Sequence, residues 1–162
     1  MRERGAVIHQ APPLWRCPKC GAELVVRNMS HSCGRYSLKA LFARSEPWVF
    51  RLFRKFERMV RACGPVKMIP QKTRAVFLTR VRFAAVYPRK SGLLCSIALP
   101  RVHRDPRFRE ITRYAKHFVT HIMLVERENQ LDRQVQSWLK ESYAVGEQRQ
   151  VLQSRWASKH HT

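Results

Sequence analysis

Apolar residues recur at helical spacing over residues 37–63. Val49, Leu52, Phe53, Phe56, Val60 and Cys63 share one face, and Arg51, Arg54, Lys55, Arg58 and Arg61 share the other. Ser45-Glu46-Pro47 marks an internal start, with Ser45 as N-cap and Pro47 in the first turn. Gly64-Pro65 ends the helix. The period then shortens to two. Strands are predicted at 66–69, 75–78, 81–87 and 93–99, with Arg89-Lys90-Ser91-Gly92 as a hairpin turn. Alternation places Arg80 and Arg82 on one sheet face, opposite Val81 and Phe83.

Residues 101–116 are too basic to show a period and read as a connector with room for a short helix. A last strand is expected over 117–125. Leu131, Val135, Trp138 and Leu139 then outline a closing helix that ends at Gly146. Residues 1–13, with Pro12-Pro13, read as a flexible arm, and 149–162 as a polar, frayed tail. Between them lie a small metal ribbon over 14–36 and an α/β domain over 37–148. The fold class is α+β, a mostly antiparallel sheet packed with N- and C-terminal helices on one face.

Charge changes this picture most. The chain of 162 residues carries 32 Lys+Arg against 11 Asp+Glu, a formal net charge of +21. The excess is uneven: residues 1–125 hold 26 basic and 6 acidic side chains, and residues 126–162 hold 6 and 5. Self-repulsion on that scale opposes compaction, and a polyanionic partner relieves it. Nucleic acid is the partner expected. No apolar run is long enough to span a membrane. No apolar stretch follows the basic start, so no secretory signal is read and a cytoplasmic location is expected.

The cysteines fit that location, where thiols stay reduced. Cys17-Pro18-Lys19-Cys20-Gly21 brings two thiolates onto one turn, and Cys33 follows after a short hairpin. The fourth ligand is His31 or, from the arm, His9. Three cysteines and a histidine are a structural zinc set, and a closed set of four leaves no position for a reacting water. Cys63 and Cys95 lie in apolar surroundings and read as small buried hydrophobes.

Catalytic signals are sparse. Phosphate-binding glycine loops and the HExxH and GxSxG motifs are missing, and residues 58–104 contain no carboxylate to hold Mg²⁺. His117 and His121 share a strand face and could join His103 at a second metal, but sequence neighbours supply no acidic ligand. No catalytic residue and no small-molecule substrate is assigned. Lys72, Arg74, Arg80, Arg82, Arg89 and Lys90 are the candidate phosphate contacts, with Trp15, Tyr36 and Tyr87 available to stack on bases. The alternative is a protein-interaction adaptor that docks a partner through Trp138 and Trp156. A nuclease-associated component ranks below both.

Cys17-Pro-x-Cys20-Gly, His31-Ser-Cys33, Phe42-x-x-Ser45-x-Pro47, Gly64-Pro65-Val66, Pro70-Gln71-Lys72-Thr73-Arg74, Arg82-Phe83-Ala84, Pro88-Arg89-Lys90 and Leu131-Asp132 occur in this order. Together they resemble bacterial zinc-ribbon proteins carrying the domain of unknown function 5655. The likeness spans roughly residues 14–148, nearly the whole ordered chain expected. It implies the zinc ribbon and the α+β fold, and brings no activity with it.

Overall fold

A computed structural model describes residues 11–27, 29, 31, 33 and 35–159. Strands β1 (Trp15–Arg16) and β2 (Glu23–Leu24) form a short antiparallel ribbon. Helices α1 (Leu38–Leu41) and α2 (Pro47–Arg61) follow. Six strands come next: β3 (Lys67–Pro70), β4 (Ala75–Leu78), β5 (Arg82–Arg89), β6 (Gly92–Leu99), β7 (Phe108–Ala115) and β8 (Phe118–Val125). Helices α3 (Arg133–Gly146) and α4 (Arg149–Lys159) close the chain. The sheet order is β3-β4-β5-β6-β8-β7, every neighbouring pair antiparallel. The fold is α+β, as the patterning predicted.

The predicted helical face is the dry one. Val49, Phe53, Phe56 and Val60 are fully buried and Leu52 nearly so. Phe53 and Phe56 both lie against Phe77 of β4, with ring centroids 6.4 and 5.8 Å away, and Phe42 packs on Phe53 at 5.1 Å. Each such ring contributes on the order of 1.5–3 kcal/mol through burial. Helix α3 adds Val135, Trp138, Leu139 and Tyr143 to the same layer. Its start is fixed by Asp132, whose Oδ1 accepts from the Val135 N–H at 3.0 Å.

Three expectations need correction. The helix over 37–63 is two helices, and Ser45 caps neither. Ser37 caps α1, accepting from the Ala40 N–H at 3.1 Å. Glu46 holds the cap position of α2, because the residue before a proline is driven to extended backbone, here ψ 144. Its N–H bonds instead to the Lys90 carbonyl at 2.8 Å. The basic connector contains β7, an edge strand. Neither of its faces is dry, so no alternation reveals it. The polar tail is helical as α4.

The sheet carries a bulge. Phe77 pairs with Ala84, but Leu78 pairs with Arg82. The extra residue is Phe83, which turns into the core beside Ala84 and meets Tyr143 edge-on at 5.6 Å. Arg82 faces away, as predicted. Arg80 and Val81 lie in the β4–β5 connection and not on a strand.

Close approach explains one glycine. Gly64 adopts φ +146, and a Cβ there would sit 2.6 Å from the Tyr143 hydroxyl, which donates to the Pro65 carbonyl at 2.8 Å. Gly64→Ala therefore strains the backbone and breaks the α2–α3 seam at once. We expect a loss of at least ~1 kcal/mol of unfolding free energy, measured by urea denaturation.

Candidate metal centre and basic groove

Cys17 and Cys20 sit on the turn that joins β1 to β2. The Gly21 N–H bonds to the Cys17 carbonyl at 2.8 Å, and Gly21 takes the left-handed φ of +74 that closes the turn. His31 and Cys33 approach from the far side. One donor atom from each of Cys17, Cys20, His31 and Cys33 lies within 4.8 Å of all the others. The Sγ of Cys33 is 3.6 Å from that of Cys17 and 3.8 Å from that of Cys20. These distances exclude a disulfide, and all five cysteines are free. His31 Nε2 is 2.8 Å from Cys33 Sγ, while its Nδ1 bonds to the Met29 carbonyl at 2.8 Å. That second bond fixes the ring with Nε2 toward the sulfurs, the usual support for a ligating histidine.

The electrostatics suit a cation. A backbone hydrogen bond from Cys20 is the main force lowering the Cys17 thiol to about 6. Desolvation, followed by hydrogen bonds to Cys17 and Cys20, holds the Cys33 thiol up at about 11. The Met29 carbonyl and then Cys17 raise His31 to about 9. A thiolate on Cys17 thus opposes a second one on Cys33, and a divalent ion among them removes that conflict. The four residues can hold a metal ion. His9 lies outside the described residues.

The six candidate phosphate contacts divide by location. Lys72, Arg89 and Lys90 are exposed at the β3–β4 and β5–β6 turns. Arg74, Arg80 and Arg82 converge on one groove of about 870 Å³. This groove lies on the sheet face opposite α2 and α3, over a floor of Ile69, Val76 and Leu78. Its walls come from the ribbon, the β7–β8 turn and the start of α4. Arg74 donates to Tyr87 Oη at 2.9 Å and to Gln71 Oε1 at 2.7 Å. Arg80 donates to Gln148 Oε1 at 3.2 Å and to the Pro12 carbonyl at 2.9 Å. Arg82 is exposed by surface area but crowded by the walls. Desolvation, and then the charge of Arg74, lower its pKa. Glu23, the carboxylate on the lining, is engaged by Lys67.

Elsewhere several basic residues are paired with carboxylates. Glu57, 6% exposed, receives Arg54 at 2.8 Å and Arg61 at 2.9 Å. Arg107 bridges Asp105 and Asp132, each at 3.0 Å, and lies over the Trp138 ring. Arg101 pairs with Glu141 at 3.2 Å. Trp138 itself is 3% exposed, so the predicted docking role for it is corrected: it is core. The Trp156 side chain lies outside the described residues.

The three histidines do not converge. His117 lines the groove, while His121 is fully buried on the helix side of the sheet. His121 Nε2 accepts from the His103 backbone N–H at 2.9 Å, and Nδ1 faces the Val119 carbonyl at 3.0 Å. Both nitrogens are thereby committed, and His121 is a core histidine. Among the described residues, the Cys17-Cys20-His31-Cys33 set is the one group of three or more side chains able to hold a metal.

Residues 39–146 match the family described as Domain of unknown function (DUF5655). The chain belongs to this family. The match begins after the cysteine cluster, so the metal centre lies outside it. No curated protein and no solved structure matches the chain. Among the described residues, no helix is long and apolar enough to cross a membrane.

Two outcomes follow from this geometry. Cys20→Ser removes one of four ligands, so elemental analysis should find about one metal ion per wild-type chain and far less in the variant. The domain over 37–148 should keep its cooperative unfolding. Burial lowers the pKa of His121, so between the folded value and ~6.5 the unfolded chain binds the extra proton. Stability should therefore fall as pH drops below about 6.5. NMR should show the His121 ring still neutral where exposed histidines have titrated.

Proposed function

We propose that this protein is a zinc-containing nucleic-acid-binding module that grips the phosphate backbone through Arg74, Arg80 and Arg82. One observation carries the proposal. Three arginines, brought from both ends of β4 and the start of β5, meet in a single groove whose lining carboxylate is already engaged. Arginine clusters of this kind are costly to assemble unless an anion shares them, because each charge raises the energy of the next. The overall charge of +21 supplies long-range attraction to the same partner.

Zinc is the metal that the ligand chemistry favours. Three thiolates and an imidazole are a structural zinc set, and bonds of ~2.3 Å at a tetrahedral angle separate sulfurs by ~3.8 Å. The two Cys33 distances of 3.6 and 3.8 Å support that reading. The His31–Cys33 contact is a hydrogen bond that a shared ion would replace. Zinc would then stiffen the ribbon that forms one wall of the groove, a structural task with no part in a reaction. A reducing cytoplasm, where thiolates persist as ligands, is the setting this implies.

The protein-adaptor reading is weaker, since Trp138 is in the core and its neighbour Arg107 is paired on both sides. The test is the salt dependence of binding to labelled oligonucleotides. Replacing Arg80 and Arg82 together by Ala should reduce the slope of log K against log salt by about 2. An unchanged slope would move the contact surface away from the groove.

A further inference from the structure

The groove is more than a cationic trough. Its floor is apolar, built from Ile69, Val76 and Leu78, and Val145 and Val151 extend the apolar lining. Phe118, half-buried at the start of β8, joins that lining beside His117. Gln71, Gln148 and Gln150 stand among the arginines, and amide groups both donate and accept hydrogen bonds. A ligand that fills this space must offer charge to the rim, a flat apolar face to the floor and hydrogen-bonding edges to the amides.

A duplex offers only the first of these along its outer surface. Its base faces are stacked inside the helix, and outward contacts go to phosphate and sugar. A concave groove also cannot enter the grooves of a duplex, which admit a protruding helix or ribbon. An unpaired strand offers all three, because its bases can splay from the backbone and lie on aromatic or apolar surface.

We infer that the groove takes single-stranded nucleic acid, with phosphates held at the rim by Arg74, Arg80 and Arg82 and unpaired bases entering against Phe118 and the apolar floor. This rests on the nucleic-acid reading and narrows it to one class of substrate. The glutamine amides meet base edges without demanding one sequence, since an amide serves several donor and acceptor patterns. The inference covers unpaired DNA and RNA alike, whose shared chemistry is a flexible phosphate chain with exposed base faces.

The experiment uses the full chain and fluorescence anisotropy, with all probes compared at matched salt concentrations from low to high. Four probes of equal length are compared: single-stranded DNA, single-stranded RNA, duplex DNA, and a DNA strand made wholly of abasic sites. At least one of the two base-bearing single strands should bind ~10-fold or more tighter than both the duplex and the abasic strand. The preferred strand identifies the natural chemistry. Phe118→Ala should weaken single-strand binding by ~5–100-fold, the scale of one base–aromatic stack, while leaving duplex binding and the salt slope unchanged. The abasic probe needs no variant, so the test stands even if Phe118→Ala folds poorly. Equal affinity for duplex, abasic and base-bearing strands would overturn the inference and leave the phosphate-binding reading intact. Failure of every probe to bind at low salt would overturn both.

Discussion

A sheet of six strands has two faces, and helices α2 and α3 dry only one of them. The aromatic contacts of Phe53 and Phe56 with Phe77 commit β4 to that layer, and the alternation of β5, β6 and β8 follows. Everything on the opposite face is then left to whatever else the chain can bring. Val76, Leu78 and Ala85 are nonetheless buried there. The ribbon reaches that side from the N-terminal end, where Glu23 pairs with Lys67 of β3, and α4 reaches it from the C-terminal end. Neither covers the face fully, and the space left between them is the groove. The candidate binding site is thus a consequence of one-sided helix packing, not a feature added to a finished fold.

The same economy governs charge. Eleven acidic residues cannot neutralise thirty-two basic ones, so their placement decides which cations remain unmatched. Glu57 is shared by two arginines of α2, and Arg107 takes both Asp105 and Asp132. These pairs sit on or beside the helical layer. None of the described ion pairs engages Arg74, Arg80 or Arg82, whose recorded partners are neutral: a phenol, two amide oxygens and a carbonyl for the first two. Neutral acceptors orient a guanidinium without cancelling its charge.

Much of the helical layer was legible in the sequence, because a buried stripe at helical spacing leaves little freedom. The dry faces of α2 and α3, five of the six sheet strands and the β5–β6 turn all show in the pattern. Strand β7 does not, since an edge strand wetted on both faces has no reason to alternate. Helix α4 is hidden for a similar cause: its residues are polar, and a polar helix resembles a polar tail. The cysteine cluster was readable because its ligands are few in kind and close in sequence. The groove was only half readable. Arg74, Arg80 and Arg82 stood out as charges, but Phe118 and Gln148 become their neighbours only once β8 and the α3–α4 junction are in place. Only the juxtaposition of far-separated segments marks Phe118 as a candidate contact.

Strand order has an effect on how the molecule comes together. Strands β3 to β6 pair with their sequence neighbours, and β7 and β8 form a hairpin of their own. Only the β6–β8 seam joins segments separated by a longer excursion. Such a chain can build much of its sheet from short-range hairpins as they leave the ribosome. The helical layer is different. Helix α2 emerges early, but Trp138, Leu139 and Tyr143 follow the whole sheet, so Phe83 and its neighbours stay wet until α3 is made. A nascent chain of this protein therefore carries an assembled sheet with half its lid, and its period of greatest exposure to aggregation falls just before α3 clears the exit tunnel.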